Sequence, residues 1–475
     1  MSDERTQIVP PPGMGSGSTV LGGYAGTGAT GMYGASNATQ MLDPNRTQIA
    51  PPPSPGQYGP QSGGPSVQLS VHVGNRLANA TERTRQHILT QVTGGPGGGV
   101  GGRRLPVNVA LVIDRSGSME GEPLEYVKRA CSYVVDMLSP DDVLSIVTFE
   151  ETVEIVMPAR RVTDPNLIKQ HVARITSGNT TNLFDGLYAG GAQVASVGQA
   201  GYVSRVLLLT DGEPTAGLKD FGSIVNQVAD LKLRGVTVTA LGFGPEYNEE
   251  LMAGIARRSG GNYYYIARPD EIPDVFRREM EQVLGVTAKN ARLTLHLPRG
   301  CQVLQCYGSP PQFAPRTATV SLGDLESGAT VSRLWEMDWD ARQAGTYRVA
   351  KATLTWDDGA TGRTESTSAN AVVEFTTDAT RVPSGADNQV AQELSVLRAG
   401  RDLEKTMMGM RTQQFSVADL TQALDRTQAM LTQQGRVDEA REVAQAAQAA
   451  RRGDSDAMEK TLIGTIYHLD QGKRR

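Results

Sequence analysis

The sequence predicts a doubly wound α/β domain inserted in an all-β sandwich, followed by a helical region and preceded by a disordered tail. Two observations predict this order. Between residues 105 and 284, continuous apolar strands alternate with helical patterns. On both sides of that segment, strands have an apolar residue at every second position. Continuous apolar runs are typical of parallel strands buried on both faces, whereas a period of two is typical of half-buried antiparallel strands.

Residues 1–65 are predicted to be a disordered tail. Gly, Pro, Ser, Thr and Ala dominate this stretch, which contains no Phe, Trp or Lys. Burial of so few apolar side chains does not offset the entropy lost on ordering the chain.

The tail contains a short repeat around three threonines, Thr6, Thr39 and Thr47. Two copies read Arg-Thr-Gln-Ile and precede three prolines each, and the copy at Thr39 is looser. A mobile threonine with an aliphatic residue two or three places later resembles the phosphothreonine motifs that forkhead-associated domains bind. We therefore regard these threonines as candidate phosphosites and a phosphothreonine-reading domain as a candidate partner. Low-complexity drift in a proline-rich tail is the alternative.

The sandwich is predicted from residues 66–104 and 285–380. Val67, Leu69, Val71 and Val73 alternate with polar residues, and similar alternation recurs after residue 285. The strands before the α/β domain have no sheet of their own, and an isolated hairpin is marginal in water. We therefore expect them to pair with strands from residues 285–380, which makes the α/β domain an insertion.

The α/β domain is predicted for residues 105–284. Its continuous apolar strands lie at residues 107–113, 143–149, 206–209 and 236–243, with an antiparallel edge strand at 151–157. A helix with apolar residues near the 3.6 spacing runs from Leu124 to Leu138, and another begins with Asp164 as N-cap and Pro165 in its first position. This alternation is typical of a doubly wound sheet.

Residues 386–475 are predicted to form helical hairpins. Ser416 and Asp419 fit a capping box, and Gly435 follows the apolar pattern as a stop. Two short hairpins are the expected arrangement.

Composition narrows the class of function. The net charge of -5 offers no concentrated basic surface, so we expect no nucleic-acid partner. No apolar run approaches the roughly 18 residues of a membrane span, so we expect no membrane partner. The three cysteines and the lack of a leader-like N-terminus predict a cytoplasmic protein. The five histidines are scattered without the spacing of zinc ligands.

Oxygen-bearing side chains follow three predicted elements of the α/β domain. Asp114, Ser116 and Ser118 come directly after the first apolar strand, Thr181 precedes a helix, and Asp211 ends the third core strand. Because the carboxyl ends of parallel strands converge at one edge of a sheet, we expect these five residues to meet there.

Hard oxygen donors without nitrogen or sulfur select Mg²⁺, Mn²⁺ or Ca²⁺. Two carboxylates just balance a divalent cation, which leaves it able to accept a further ligand. A carboxylate from another protein is a good final ligand, so the pattern predicts binding rather than catalysis.

The Asp-x-Ser-x-Ser element at Asp114, with Thr181 and Asp211, resembles the metal-ion-dependent adhesion site of von Willebrand factor A domains. The flanking strands make the layout similar to bacterial relatives of the inter-alpha-trypsin inhibitor heavy chain. The resemblance implies that Ser116, Ser118 and Thr181 contact the metal, and that the two aspartates act directly or through water. Thr180 is the alternative to Thr181, which is favoured because it immediately precedes Asn182.

These features predict a metal-dependent protein-binding module that acts as a cytoplasmic signalling or assembly scaffold and takes an exposed Asp or Glu of its partner. The alternatives are a phosphothreonine-dependent adaptor, an accessory to an AAA+ ATPase, a vestigial site on a scaffold, and a metal-assisted hydrolase. A hydrolase is disfavoured because no general base, nucleophile set or phosphate-binding glycine loop is visible.

Overall fold

The computed structural model describes residues 67–95, 104–198, 201–359, 361–412 and 416–474. The predicted tail and its candidate phosphosites Thr6, Thr39 and Thr47 lie outside these residues.

The described residues form seventeen strands and ten α-helices. The strands are β1 (Val67–Val73), β2 (Leu77–Asn79), β3 (Thr84–Gly94), β4 (Val107–Asp114), β5 (Val143–Phe149), β6 (Val153–Arg161), β7 (Val203–Thr210), β8 (Thr237–Phe243), β9 (Tyr263–Ile266), β10 (Val286–His296), β11 (Cys301–Cys306), β12 (Gln312–Ala314), β13 (Thr317–Glu326), β14 (Thr330–Trp339), β15 (Gly345–Asp358), β16 (Thr364–Thr376) and β17 (Lys473–Arg474). The helices are α1 (Glu122–Met137), α2 (Pro165–Ala173), α3 (Leu183–Ser196), α4 (Phe221–Leu233), α5 (Glu249–Ser259), α6 (Ile272–Leu284), α7 (Asn388–Arg411), α8 (Val417–Gln433), α9 (Val437–Arg452) and α10 (Ser455–Gln471).

The α/β domain is a six-stranded sheet with the strand order β6-β5-β4-β7-β8-β9. Every neighbouring pair is parallel except β5 with β6, which is the predicted antiparallel edge. All residues of β4, β5 and β7 are buried because helices cover both faces of the sheet. Leu111 packs on the face covered by α1, α2 and α6, and Val112 packs on the face covered by α3, α4 and α5. The predicted doubly wound fold is confirmed.

The strands before and after the α/β domain form two further sheets. One has the order β1-β3-β14-β11, with β17 also on β14, and the other has the order β12-β13-β10-β15-β16-β2. They share an apolar core that includes Trp335, Trp339 and Phe375. Strand β3 pairs with β14 along ten residues, from Thr84 to Thr93. The predicted insertion of the α/β domain in a sandwich is therefore confirmed.

The C-terminal region contains four helices. The capping box at Ser416 and Asp419 is present, and α8 ends just before Gly435, as predicted. The helices of the predicted hairpins differ in length, and α7 is the longest of the four with 24 residues. It contains glycines at 400 and 409 but no proline, and helices tolerate isolated glycines at a modest cost.

This region packs on the rest of the chain. Val390 and Leu397 of α7 share an apolar cluster with Leu89 and Leu334 of the sandwich. Tyr467 of α10 belongs to the core of the α/β domain. None of the helices described here is long and apolar enough to cross a membrane.

Candidate functional site

The residues singled out in the sequence lie at the carboxyl edge of the α/β sheet. Strands β4 and β7 are parallel neighbours, and their register pairs Ile113 with Leu209. Asp114, the last residue of β4, therefore lies next to the end of β7, which Asp211 follows directly. The loop after β4 carries Ser116 and Ser118.

Asp114 is completely buried at the base of this edge. Its Oδ1 accepts a hydrogen bond from the backbone N–H of Ser116 at 2.8 Å, and its Oδ2 accepts one from the hydroxyl of Thr210 at 2.5 Å. These bonds hold the turn that presents the two serines. Burial nevertheless raises the pKa of the Asp114 carboxyl to about 6, because the ionised form has lost its hydration.

Three oxygen atoms from two loops form a small triangle at this edge. The Ser118 hydroxyl donates to Oδ1 of Asp211 at 3.0 Å, and the Ser116 hydroxyl lies 3.3 Å from the same oxygen. The two serine hydroxyls are 3.2 Å apart. Burial also raises the pKa of Asp211 above its ordinary value, and the nearby carboxylate of Glu246 adds to the rise. The structure therefore brings together three of the five predicted residues directly, and Asp114 through the Ser116 turn.

Thr181 reaches the same place from a third loop. It is 4% exposed, its backbone N–H donates to the Thr215 hydroxyl at 2.9 Å, and no hydrogen-bond partner of its hydroxyl occurs among the described residues. The next residue, Asn182, caps α3 by accepting from the N–H of Asp185, which fixes where Thr181 lies. Thr181 lines the depression at the site, whereas the Thr180 hydroxyl is buried without a partner. These observations favour Thr181 over Thr180.

A depression of about 560 Å³ opens over these oxygen atoms. Its lining includes Ser116, Ser118 and Thr181, and also the carboxylate residues Glu213 and Glu246. Glu213 follows Asp211 by two residues, and neither Glu213 nor Glu246 is among the predicted site residues. The signal for Glu246 was present: it follows β8, a parallel core strand whose carboxyl end lies at the same edge.

The donors suit a small divalent cation. Adjacent oxygen ligands of an octahedral Mg²⁺ are about 3.0 Å apart, because each Mg–O bond is about 2.1 Å, and the corresponding separation for Ca²⁺ is about 3.4 Å. The triangle edges of 3.0 to 3.3 Å fall in this range. Within the described ranges, no group of three or more His, Cys, Asp or Glu residues is arranged to hold a metal. The hydroxyl-containing set is the candidate metal centre because its oxygen atoms have the spacing of ligands on one ion.

Two cysteines and a run of three tyrosines outside this site take structural positions. Cys301 and Cys306 lie at opposite ends of β11 and are both free thiols. Tyr263, Tyr264 and Tyr265 belong to β9, where Tyr263 is fully buried and its hydroxyl lies 2.7 Å from that of Tyr247.

Comparison with known proteins identifies the type of the inserted domain. Residues 108–278 match the family model of the von Willebrand factor type A domain. An uncharacterised protein from Synechocystis sp. is 34% identical over 274 residues, which are 55% of this chain and 64% of that protein. Inter-alpha-trypsin inhibitor heavy chain H4 from Homo sapiens is 30% identical over 165 residues, which are 33% of this chain and 18% of that protein. The chain thus spans less than two thirds of the length of either relative.

A solved structure shares the fold over most of the chain. It is described as a von Willebrand factor type A protein from Catenulispora acidiphila and superposes with a TM-score of 0.66 at 15% sequence identity. The superposition covers 81% of this chain and 91% of that one. At this identity the likeness concerns the fold alone, and it extends beyond the α/β domain.

Proposed function

Because residues 108–278 form a von Willebrand factor type A domain, we propose that this protein binds a partner protein through a divalent metal ion. Domains of this type commonly act as metal-dependent interaction modules. The ligands that we propose lie on three loops at the carboxyl edge of the sheet: Asp114, Ser116, Ser118, Thr181 and Asp211.

The observation that carries this proposal is the triangle of Ser116 Oγ, Ser118 Oγ and Asp211 Oδ1, which faces an open depression. Two buried carboxylates, Asp114 and Asp211, provide the charge that balances a divalent cation. The hydroxyls add neutral donors, so the bound ion retains affinity for an acidic ligand from outside. We propose that an exposed Asp or Glu of the partner is that ligand, and that Mg²⁺, Mn²⁺ or Ca²⁺ is the ion.

Isothermal titration calorimetry of Mg²⁺ and Mn²⁺ binding tests the metal centre. Asp211→Asn and Ser118→Ala are each expected to weaken metal binding by at least about tenfold, since even indirect contacts to a metal contribute that much. Ser196→Ala is the matched control, because Ser196 is an exposed serine at the end of α3. Among the described residues, its hydroxyl donates only to the carbonyl of Gln193 in the same helix. Equal metal affinity of all four proteins would contradict the proposed ligands.

Affinity purification in Mg²⁺ and in EDTA tests the binding function. Partners are expected to be retained in Mg²⁺, released by EDTA, and lost in Asp211→Asn but not in Ser196→Ala. An unchanged set of partners in EDTA would count against metal-dependent binding even if calorimetry detects the ion.

We further propose that the protein works in the cytoplasm as a signalling or assembly scaffold. All three cysteines are buried free thiols, which is typical of proteins from reducing compartments. Fractionation of cells that produce the full chain, followed by detection of the protein in each fraction, tests this location. Its recovery outside the cytoplasm would contradict the proposal.

The repeated threonine motifs support a second, compatible proposal: a phosphothreonine-reading domain binds the tail at Thr6, Thr39 or Thr47. Phosphorylation at these sites and loss of the reader from co-purification in the triple alanine variant are expected. Retention of the same partners by that variant would refute this mode of binding.

A further inference from the structure

The rim of the candidate metal centre carries more negative charge than a divalent cation balances. The two negative charges of Asp114 and Asp211 already balance the charge of a divalent ion. The carboxylate residues Glu213 and Glu246 also line the depression. Both glutamates are exposed, and neither has an ion pair or hydrogen bond among the described residues. A partner carboxylate that enters the depression therefore approaches two uncompensated charges of its own sign.

The cations closest in sequence do not line this rim. Arg115, in the loop after β4, is directed elsewhere: its guanidinium contacts Glu150 at 3.2 Å and the carbonyl of Thr176 at 3.3 Å. Lys219 follows Glu213 on the same loop but does not line the depression. The residues that line it include no Lys, Arg or His.

The backbone beside Glu246 is fixed by the C-terminal helical region. Lys460 of α10 is 4% exposed, and its ammonium donates to the carbonyl of Tyr247 at 2.9 Å and to the carboxylate of Glu249 at 2.8 Å. The same ammonium lies 4.3 Å from the centre of the Tyr247 ring, a favourable cation–π distance. The Tyr247 ring in turn packs against Gly242, where an added Cβ would lie 2.2 Å from it. Glu246 thus directly precedes a tightly packed residue, which fixes the point at which its side chain leaves the backbone.

The depression also contains a buried polar group that the proposed metal ion would use. The Thr181 side chain is more than nine-tenths buried, lines the depression, and has no hydrogen-bond partner for its hydroxyl among the described residues. The acidic rim thus surrounds the proposed metal pocket, and not merely a solvated surface.

From this charge pattern we infer that the partner segment carries a Lys or Arg within about three residues of the acid that enters the site. This inference rests on the proposed function and specifies the chemistry of its partner. An extended peptide advances about 3.3 Å per residue, so a cationic side chain at that separation reaches the rim while the acid occupies the depression. The cation of the partner then offsets the repulsion between the entering acid and the two glutamates. Partners whose acidic residue lies in an acidic segment lack this compensation and are excluded.

Immobilised nine-residue peptides test the inference with defined probes. Each peptide has one central Asp in a Gly-Ser background, and the residue two positions away is Lys, Gln or Glu. In Mg²⁺ the full chain is expected to bind the Lys peptide roughly fivefold more tightly than the Gln peptide, and the Glu peptide most weakly, because an exposed ion pair contributes up to about that factor. Raising the NaCl concentration should reduce the difference, since salt screens exposed charges.

Paired variants attribute the preference to the rim. The double variant Glu213→Gln with Glu246→Gln is expected to bind the Lys and Gln peptides equally. The double variant Glu120→Gln with Glu122→Gln is the matched control, because both residues are exposed near the site but outside the depression; it should keep the preference.

The outcomes separate this inference from the proposed function. Mg²⁺-dependent binding that ignores the neighbouring charge, or a preference that survives in Glu213→Gln with Glu246→Gln, overturns the inference and leaves the metal-dependent function intact. Binding of no peptide in Mg²⁺, when calorimetry detects the bound ion, also counts against the inference. Absence of Mg²⁺ binding in calorimetry refutes the proposed function itself.

Discussion

Replacing Asp114 by asparagine tests whether a metal ion compensates the charge buried at the end of β4. The side chain is completely buried, and burial raises the pKa of its carboxyl from 3.8 to about 6. A difference of about two pKa units between the unfolded and folded states corresponds to about 3 kcal/mol of unfolding free energy lost at neutral pH. Asparagine has the same shape and no charge, so it removes this loss.

The hydrogen bonds of Asp114 allow the exchange. The asparagine carbonyl accepts from the Ser116 N–H as Oδ1 does now, and its amide donates to the Thr210 oxygen. The Thr210 hydroxyl retains the carbonyl of Gly212 as an acceptor at 3.2 Å. The structural change is therefore small, and the electrostatic change dominates.

The sign of the pH dependence follows from the raised pKa. Between pH 3.8 and about 6 the folded state binds more protons at Asp114 than the unfolded state does. Without metal, the contribution of Asp114 therefore becomes more favourable as the pH falls through 6, and the advantage of Asp114→Asn shrinks until the two proteins converge near pH 4.

Differential scanning calorimetry of the full chain measures these effects. In EDTA at pH 7.5 the α/β domain of Asp114→Asn is expected to melt roughly 6 to 12 °C above the wild type, given about 3 kcal/mol and about 2 to 4 °C per kcal/mol for a domain of this size. Mg²⁺ should raise the melting temperature of the wild type but not that of Asp114→Asn. The exposed Glu122→Gln should behave as the wild type does. A lower melting temperature of Asp114→Asn in EDTA, or an equal response of both proteins to Mg²⁺, would refute the reasoning.

Three further predictions concern packing and electrostatics. An alanine Cβ at Gly190 of α3 would lie 2.2 Å from Cγ2 of Val112, so Gly190→Ala should lower the unfolding free energy by about 1–3 kcal/mol and with it the urea midpoint. Gly222→Ala, in the first turn of α4, should be neutral or stabilising, because its nearest contact would be at 3.4 Å. Equal urea midpoints of the two variants would contradict the close packing at Gly190. Lys460→Met removes one hydrogen bond to the loop after β8, at Tyr247, and one to Glu249 at the start of α5, at a cost of about 1–3 kcal/mol of unfolding free energy. Hydrogen exchange at Tyr247 and Asn248 should accelerate, with Lys169→Met, at a part-exposed lysine, as the control; unchanged exchange would show that α10 does not hold this loop. Burial alone would raise the pKa of Asp142, but hydrogen bonds from Arg104, Ser139 and Val107 outweigh burial, and the pKa is lowered. Asp142→Asn should therefore destabilise the protein at pH 7, and progressively less as the pH falls below about 4. A loss of stability that does not vary with pH would contradict this.

Much of the candidate site was predictable because its chemistry depends on residue type and on strand ends. The turn at Asp114 and the position of Asp211 follow from continuous apolar strands, which must be parallel neighbours in a doubly wound sheet. Burial of both faces leaves the carboxyl ends as the place where polar side chains gather. The choice of Thr181 rested on Asn182, and the structure adds a reason for it, since Asn182 caps α3.

The remaining features depend on contacts between segments that are far apart in sequence. The end of β8 placed Glu246 at the carboxyl edge of the sheet, but its position at the rim of the depression depends on β8 lying beside β7. The backbone next to it also depends on Lys460, which reaches Tyr247 across more than 200 residues. The length of α7 escaped prediction for a different reason: its side chains pack against the sandwich and the other helices, and such tertiary contacts outweigh weak local signals.

The sequence by itself determined the order of the domains, the parallel sheet and the types of atom at its edge, since periodicity and donor chemistry are local properties of the chain. Only the tertiary structure decided the distances among the oxygens, the burial that raises the pKa of Asp114, and the second pair of carboxylates around the depression. These quantities arise from packing and desolvation, which depend on every segment that surrounds a group and not on its neighbours along the chain.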